Sequence, residues 1–113
     1  IIEDANLEEP AVNVPNENFI GSLPNGIVVE VPGTVNRLGV NGIGLENYPQ
    51  SFGLLLNNQT GVIQLTTEAV LKKSKHSAYL ALLADPVIDN SINAQNLLNT
   101  MLEVQDRFLG YLK

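Results

Sequence analysis

The sequence predicts an α+β fold in which short mixed or antiparallel strands are followed by long helices. Short β-branched runs broken by glycine and proline occupy the first half of the chain. In the second half, apolar residues recur at the spacing of one helical face. Because the strand-like runs and the helical patterns form two separate blocks, the order favours α+β over alternating βαβ units.

Residues 27–31 form the strongest predicted strand, because four of its five residues are β-branched. The turn signal Leu-Pro-Asn-Gly at 23–26 precedes it, and Pro32-Gly33 is predicted to end it. Glu30 interrupts the apolar run, so one face of this strand is expected to meet solvent or a polar partner. Further extended pieces are predicted at residues 11–14, 19–20, 34–35 and 40–45.

Three helices are predicted after the strands. The first starts at Pro49, where a missing N–H is tolerated, and runs for about 25 residues. Its apolar face is Phe52, Leu55, Leu56, Val62, Ile63, Ala69 and Val70. The second covers residues 75–84, with Ser74 as N-cap and Asp85-Pro86 as its stop. The third begins near Ser91, and its face is Ala94, Leu97, Leu98, Met101, Leu102, Phe108, Leu109 and Leu112. The predicted strands are too few to cover the apolar faces of these helices. The uncovered apolar surface predicts self-association or contact with a domain that is missing from this chain.

Length and composition restrict the class of protein. A chain of 113 residues suits one domain. It lacks an initiator methionine, which favours a fragment of a larger protein. It has neither a signal peptide nor an apolar run of membrane-spanning length. The absence of cysteine favours a cytoplasmic location. Residues 1–50 carry seven acids against one base, Arg37, so a nucleic-acid partner is not expected.

No catalytic set can be assembled from the residues alone. Residues 39–44, Gly-Val-Asn-Gly-Ile-Gly, have the reverse of the dinucleotide-binding spacing and precede no helix directly, so turns are predicted. His76 stands among lysines and is read as a surface residue rather than a base or metal ligand. Arg37 either clamps a carboxylate or phosphate or pairs with Glu30 or Glu46, and the structural pairing is favoured.

Several short motifs, in order, resemble the C-terminal region of family 4 glycoside hydrolases. They are Val-Asn-Val-Pro-Asn at 12–16, Ile20, Leu-Pro at 23–24, Val-Glu-Val-Pro at 29–32, Val-Asn-Arg-Leu-Gly at 35–39, Tyr-Pro at 48–49, Asn-Gln at 58–59, Glu-Ala at 68–69 and Leu-Leu-Ala-Asp-Pro at 82–86. The sequence departs from the family pattern at three places. Asn36 replaces the usual Asp, Asn41 stands where His is common, and Asn18 stands where Gly is common.

The resemblance implies a fragment of a lactate-dehydrogenase-like C-terminal domain spanning residues 11–113, with residues 1–10 as a linker or truncated segment. It implies an upstream NAD-binding domain, metal-binding Cys and His residues, a Tyr base, bound manganese and a homo-oligomer. The implied reaction is glycoside hydrolysis through transient oxidation at C3 of the sugar, loss of the C2 proton, elimination, water addition and reduction.

None of the implied catalytic, NAD-binding or metal-binding residues lies in this chain, so the isolated chain is expected to be inactive. Asn16, Asn36 and Arg37 are the candidate pocket or turn contacts. The alternative is a free-standing, non-catalytic assembly or binding module derived from this domain. A third hypothesis is a small helical interaction protein unrelated to the family.

Overall fold

A computed structural model describes residues 6–113, and the chain divides into two compact units, Ile1–Asn57 and Asn58–Lys113. The first unit contains the strands β1 (Leu7–Pro15), β2 (Val28–Asn36) and β3 (Gly39–Gly42). Helix α1 (Gln50–Lys72) begins in the first unit and ends in the second. The second unit also contains α2 (Lys75–Ala84), α3 (Ser91–Val104) and the short α4 (Asp106–Leu109). The predicted α+β order of strands before helices is confirmed.

The three strands form an antiparallel sheet in the order β1-β2-β3. β1 begins at Leu7, within the segment predicted to be a linker, and Leu7 pairs with Val35. The acidic residues Glu8 and Glu9 therefore belong to a strand, while Glu3 and Asp4 lie outside the described residues. Backbone pairing with β2 makes residues 7–9 part of a strand. Their side chains, two of them charged, do not indicate this pairing in the sequence.

The predicted end of β2 at Pro32-Gly33 is wrong, since the strand continues to Asn36. A β-bulge explains the continuation: the register shifts between Glu9 and Val12, so two residues of β1 lie opposite Pro32. Proline has no N–H group, so Pro32 cannot donate a hydrogen bond to β1. The bulge interrupts the regular pairing at the position where that donor would be needed. The carbonyl of Pro32 still accepts a hydrogen bond of 2.7 Å from the Ile43 N–H.

Two other predicted extended pieces are wrong in whole or part. Residues 19–20 lie in a bend rather than a strand, and β3 ends at Gly42 rather than at residue 45. Side-chain and loop hydrogen bonds replace the ladder in both places, as the Leu45 N–H donates to the Phe19 carbonyl at 2.8 Å. The predicted turn at 23–26 is confirmed, and Gly26 adopts a φ of 85°.

One face of the sheet forms the core of the first unit. Side chains alternate between buried and exposed along the first half of β2, with Val29 and Val31 buried and Val28 and Glu30 exposed. The core consists of Val12, Val14, Ile20, Leu23, Val29 and Val31. The expectation that one face of the Glu30 strand meets solvent is thus confirmed.

The three predicted helices are confirmed, with caps that explain two of their starts. Ser74 Oγ accepts a hydrogen bond of 3.1 Å from the Ser77 N–H at the start of α2. Asn90 Oδ1 accepts from the N–H groups of Ile92 and Asn93 at the start of α3, at 2.8 and 3.1 Å. The third helix does not continue through the predicted face to Leu112. It stops at Gln105, whose φ of −112° and ψ of 27° leave the helical region, and α4 follows as one turn.

Exposed apolar side chains line parts of both long helices. On α1, four residues of the predicted face remain exposed, and we call them the α1 stripe: Phe52, Leu55, Ile63 and Val70. From the same predicted face, Leu56 packs against the sheet core and Ala69 is buried. On α3 and α4 the exposed set is Ile92, Leu97, Met101, Val104 and Phe108. Within residues 6–113, no helix combines the length and hydropathy needed to cross a bilayer.

Candidate functional site

Asn16 is a buried polar residue that organises the loop between β1 and β2. Its side-chain amide donates to the carbonyl oxygens of Ile20, Leu23 and Pro24 at 3.1, 3.1 and 3.2 Å. Its Oδ1 accepts a hydrogen bond of 3.1 Å from the Ile20 N–H. An asparagine side chain offers two N–H donors and one carbonyl acceptor, so these contacts use its hydrogen-bonding groups within the loop. Asn16 therefore makes turn contacts.

Asn36 and Arg37 lie where β2 turns into β3: Asn36 is the last residue of β2, and Arg37 is the first residue of the two-residue connection. Asn36 Oδ1 accepts a hydrogen bond of 2.9 Å from the Leu38 N–H, and its Nδ2 donates to Asn6 Oδ1 at 3.0 Å. This local contact is the Asx turn that Asn forms readily, and Gly39 completes the connection with a φ of 128°. Arg37 is exposed at the tip. Its pairing with Glu30 or Glu46 stays a prediction.

The three candidate residues do not form one site. The Asn16 N–H bonds to the Ile27 carbonyl just before β2 starts, whereas Asn36 is the last residue of β2. A strand of this length separates them by roughly 27 Å. Asn16 and Asn36 each shape a connection, at opposite ends of the same strand.

A concavity between the end of β1 and strand β3 is a feature that the sequence did not predict. It measures about 370 Å³ and is formed where the end of β1 and the following loop meet β3. Its lining residues are Val14, Pro15, Glu17, Phe19, Val40, Asn41 and Gly42. Among these, Glu17 is the one charged residue. Glu17 and Asn41 are exposed, whereas Phe19 is partly buried.

Backbone geometry explains how the Phe19 ring reaches this concavity. Asn18 has a φ of 68°, a left-handed conformation that asparagine tolerates better than most residues and that glycine adopts freely. A Cβ on Gly42 would lie 2.9 Å from Phe19 Cε2 and 3.0 Å from Val14 Cγ2. The absence of a side chain at Gly42 thus allows the ring to lie against β3. The contact between the Phe19 ring and β3 depends on the pairing of β3 with β2, so the sequence alone did not predict it. Within β3, the sequence had marked only Asn41, as a departure from the family pattern.

Residues 39–44 and the acidic and histidine side chains are the places where a dinucleotide loop or a metal-ligand cluster would lie among the described residues. Residues 39–42 are strand β3, and α1 begins only at Gln50, so the strand–turn–helix unit of a dinucleotide site is missing here. Across residues 6–113, no group of three or more His, Cys, Asp or Glu residues lies together. His76 is exposed at the start of α2, as predicted.

Comparison with known proteins identifies the family. The family model described as the family 4 glycosyl hydrolase C-terminal domain matches residues 2–88. An α-glucosidase of Erwinia rhapontici is 41% identical over 113 residues, which is 100% of this chain and 25% of that protein. The chain therefore spans about a quarter of the length of this relative.

Solved structures agree with this result. A 6-phospho-α-glucosidase from gut microorganisms, in complex with NAD and glucose 6-phosphate, superposes with a TM-score of 0.84 at 29% identity, covering 99% of this chain and 24% of that one. A 6-phospho-α-glucosidase from gut microorganisms in complex with NAD and Mn²⁺ superposes with a TM-score of 0.81 at 26% identity, covering 89% of this chain and 23% of that one. The chain belongs to family 4 of the glycosyl hydrolases and corresponds to their C-terminal domain.

Proposed function

We propose that this chain is the C-terminal domain of a glycosidase that hydrolyses O-glycosyl bonds, and that it is inactive by itself. One observation carries the proposal: the whole chain aligns with only a quarter of an α-glucosidase at 41% identity. Neither a dinucleotide-binding unit nor a metal-ligand cluster is present among residues 6–113. We assign the catalytic groups to the part of the enzyme that this chain does not include.

The proposed reaction is the NAD-dependent oxidation and elimination that the family resemblance implies, with manganese as the divalent metal. NAD is present in both of the similar structures described above, and Mn²⁺ in one of them. Since the described residues fit neither group, both are assigned to the rest of the enzyme. The role of this chain is to complete the folded body around that catalytic part.

The α1 stripe supports this structural role. Its four side chains are 51–68% exposed, which is unusual for Phe, Leu, Ile and Val along a single helix. Large apolar side chains that stay exposed at several positions of one helix face are typical of a region that another surface covers. We assign the upstream NAD-binding domain as the cover for the α1 stripe. We also propose a homo-oligomer and a cytoplasmic location, the latter because the chain contains no cysteine.

The second candidate function is a free-standing, non-catalytic assembly or binding module. The sheet unit favours it, because six buried residues already form a core there without any upstream segment. Such a module would keep its fold and would add nothing to catalysis. The two functions differ in whether this chain can replace the corresponding domain of an active relative.

A domain exchange tests the proposal. This chain is substituted for the matching quarter of the Erwinia rhapontici α-glucosidase, and hydrolysis of p-nitrophenyl α-glucoside is measured with NAD and Mn²⁺. We expect the chimera to retain activity within about tenfold of the parent, since 1.4 kcal/mol of misfit costs a factor of ten. The isolated chain should show no turnover. As a matched pair, Ile63→Glu with Val70→Glu should abolish the activity of the chimera, whereas Gln64→Glu, an exposed position off the stripe, should not.

A soluble, folded chimera without activity would reject the enzymatic role and favour the free-standing module. Turnover by the isolated chain would reject the assignment of catalysis to the missing part. Equal activity of the stripe variant and the Gln64→Glu chimera would reject the α1 stripe as the covered surface.

A further inference from the structure

We propose that one face of α3 is a dimer interface, which pairs with the same face of a second copy of this chain. The face consists of Leu97, Met101 and Val104, with Phe108 in the turn that follows, and we call these four residues the α3 seam. The inference rests on the homo-oligomer of the proposed function and names the surface through which two copies meet. The α1 stripe has no part in it.

The α3 seam has the spacing of a helix–helix contact. Its residues are separated by four, three and four positions, which is the a/d spacing of paired helices. Its side chains are 39–74% exposed. The packing of α3 onto α2 uses a neighbouring face, on which Ala94 and Leu98 are buried. After that packing is complete, α3 still presents a second apolar face to solvent.

The charge of α3 suits contact with its own copy. A two-fold contact brings the same patch of both subunits together, so a charged patch would repel itself. The chain has a net charge of −6, yet Glu103 is the one charged residue of the fourteen in α3. At 3.6 residues per turn, Glu103 lies roughly a third of a turn away from the α3 seam. The exposed residues beside the seam are Asn93, Asn96 and Thr100. Amide and hydroxyl groups both donate and accept, so each can bond to the same group of a second copy.

The extent of the family match favours a second copy over the upstream domain as the partner. The family model matches residues 2–88, which include the α1 stripe and end before α3 begins at Ser91. The upstream NAD-binding domain is assigned to the family as a whole, so its contact surface is expected within the matched part of the chain. The α3 seam lies beyond that part, which leaves it for contact between copies.

The size of the α3 seam predicts a reversible dimer. Four partly exposed side chains of these types remove roughly 300–400 Å² of apolar surface from water in each copy. A standard interface buries about 800 Å² per partner, so the polar residues beside the seam must supply the rest. We therefore expect a dissociation constant of roughly 10–100 μM for the isolated chain.

Sedimentation of variants tests the interface. The Ile63→Glu, Val70→Glu chain removes association through the α1 stripe, and we expect it to retain a monomer–dimer equilibrium. Adding Val104→Glu should weaken the dimer at least about tenfold, because two carboxylates would meet in the apolar contact. Val104 is 74% exposed, so the variant should keep its fold, which circular dichroism checks. Asn99→Glu adds the same charge on the opposite side of α3 and should leave the dimer unchanged.

Disulfide trapping tests the same contact without a charge. The chain contains no cysteine, so a single introduced thiol can bond only to its copy in a second chain. Opposed helix dipoles favour an antiparallel pairing, which places Met101, near the middle of the α3 seam, close to the Met101 of the second copy. Met101→Cys should therefore form a linked dimer with oxidised glutathione, since a disulfide requires Cα atoms within about 7 Å. Asn99→Cys should remain mostly monomeric under the same conditions.

A stripe variant that stays monomeric at millimolar concentration would overturn the proposal. Equal weakening by Val104→Glu and Asn99→Glu, or equal trapping of the two cysteine variants, would also overturn it. The trapping result decides the question if Val104→Glu fails to fold. Failure here is distinguishable from failure of the glycosidase proposal, because the domain exchange measures turnover and these experiments measure mass. An active chimera together with a monomeric stripe variant would reject the α3 interface alone.

Discussion

At the scale of single residues, the Asn16 side chain provides hydrogen-bond partners for backbone groups of the loop that leads from β1 to β2, where no strand or helix provides them. Its amide and carbonyl hydrogen-bond four backbone groups of residues 20–24, and its own backbone bonds to Ile27 and Gly26. The loop contributes Ile20 and Leu23 to the sheet core. A single buried side chain thus links loop shape to core packing, because buried backbone polar groups need partners.

We therefore expect Asn16→Ala to lower the free energy of unfolding by about 2–3 kcal/mol, since it leaves several buried backbone groups without their partner. Chemical denaturation followed by circular dichroism measures the change. Asn13→Ala, an exposed asparagine on β1, serves as the control and should stay within about 0.5 kcal/mol of the unmodified chain. Similar losses in both variants would contradict the assigned role of Asn16.

At the scale of the element, α1 contains two glycines in different surroundings. A Cβ on Gly53 would overlap Ser22 Oγ and lie 2.6 Å from Ser22 Cβ. A Cβ on Gly61 would meet nothing within 4 Å. Gly53 is therefore required by the close approach of the 16–27 loop, whereas Gly61 only weakens the helix. Ser22 Oγ is buried there, and no group within residues 6–113 forms a hydrogen bond with it.

These surroundings predict opposite effects for the same substitution on one helix. Gly53→Ala should destabilise the chain by about 1–3 kcal/mol through overpacking. Gly61→Ala should stabilise it by about 0.5–1 kcal/mol, because alanine has the higher helix propensity. Thermal unfolding of the two variants checks the pair. If Gly53→Ala stabilises the chain, the close contact between Ser22 of the loop and Gly53 of α1 would be contradicted.

At the scale of the whole molecule, the exposed apolar residues of α1, α3 and α4 predict behaviour in solution. The isolated chain should self-associate, because the apolar side chains of the α1 stripe are exposed and would lose contact with water in an oligomer. Sedimentation at rising concentration should show species larger than a monomer. Ile63→Glu with Val70→Glu should shift the distribution toward monomer, since a charge on the stripe opposes its burial.

Gln64→Glu is the matched control for this measurement, because it adds a charge at an exposed position of α1 that lies off the stripe. It should leave the distribution close to that of the unmodified chain. A strict monomer at high concentration, or an equal effect of Gln64→Glu, would contradict association through the stripe.

The sequence alone predicted the helices well and the strands less well, for physical reasons. Helix starts and stops are local, so Ser74 and Asp85-Pro86 mark the limits of α2 within a few residues. Strand limits depend on pairing with distant residues. β1 extends into an acidic segment because β2 lies beside it, and β2 passes Pro32 because a bulge in β1 accommodates the proline. No local pattern contains that information.

For the candidate site, too, some features could be predicted from the sequence and others depended on the tertiary structure. The family assignment came from short motifs whose order along the chain is enough, and the Asn36 turn follows from local Asx chemistry. The separation of Asn16 from Asn36 and Arg37, and the meeting of Glu17 with Phe19 and Asn41, were decided by the tertiary structure. The order of motifs and the propensities of residues are properties of the chain itself. A concavity exists only once strand register has brought distant segments together.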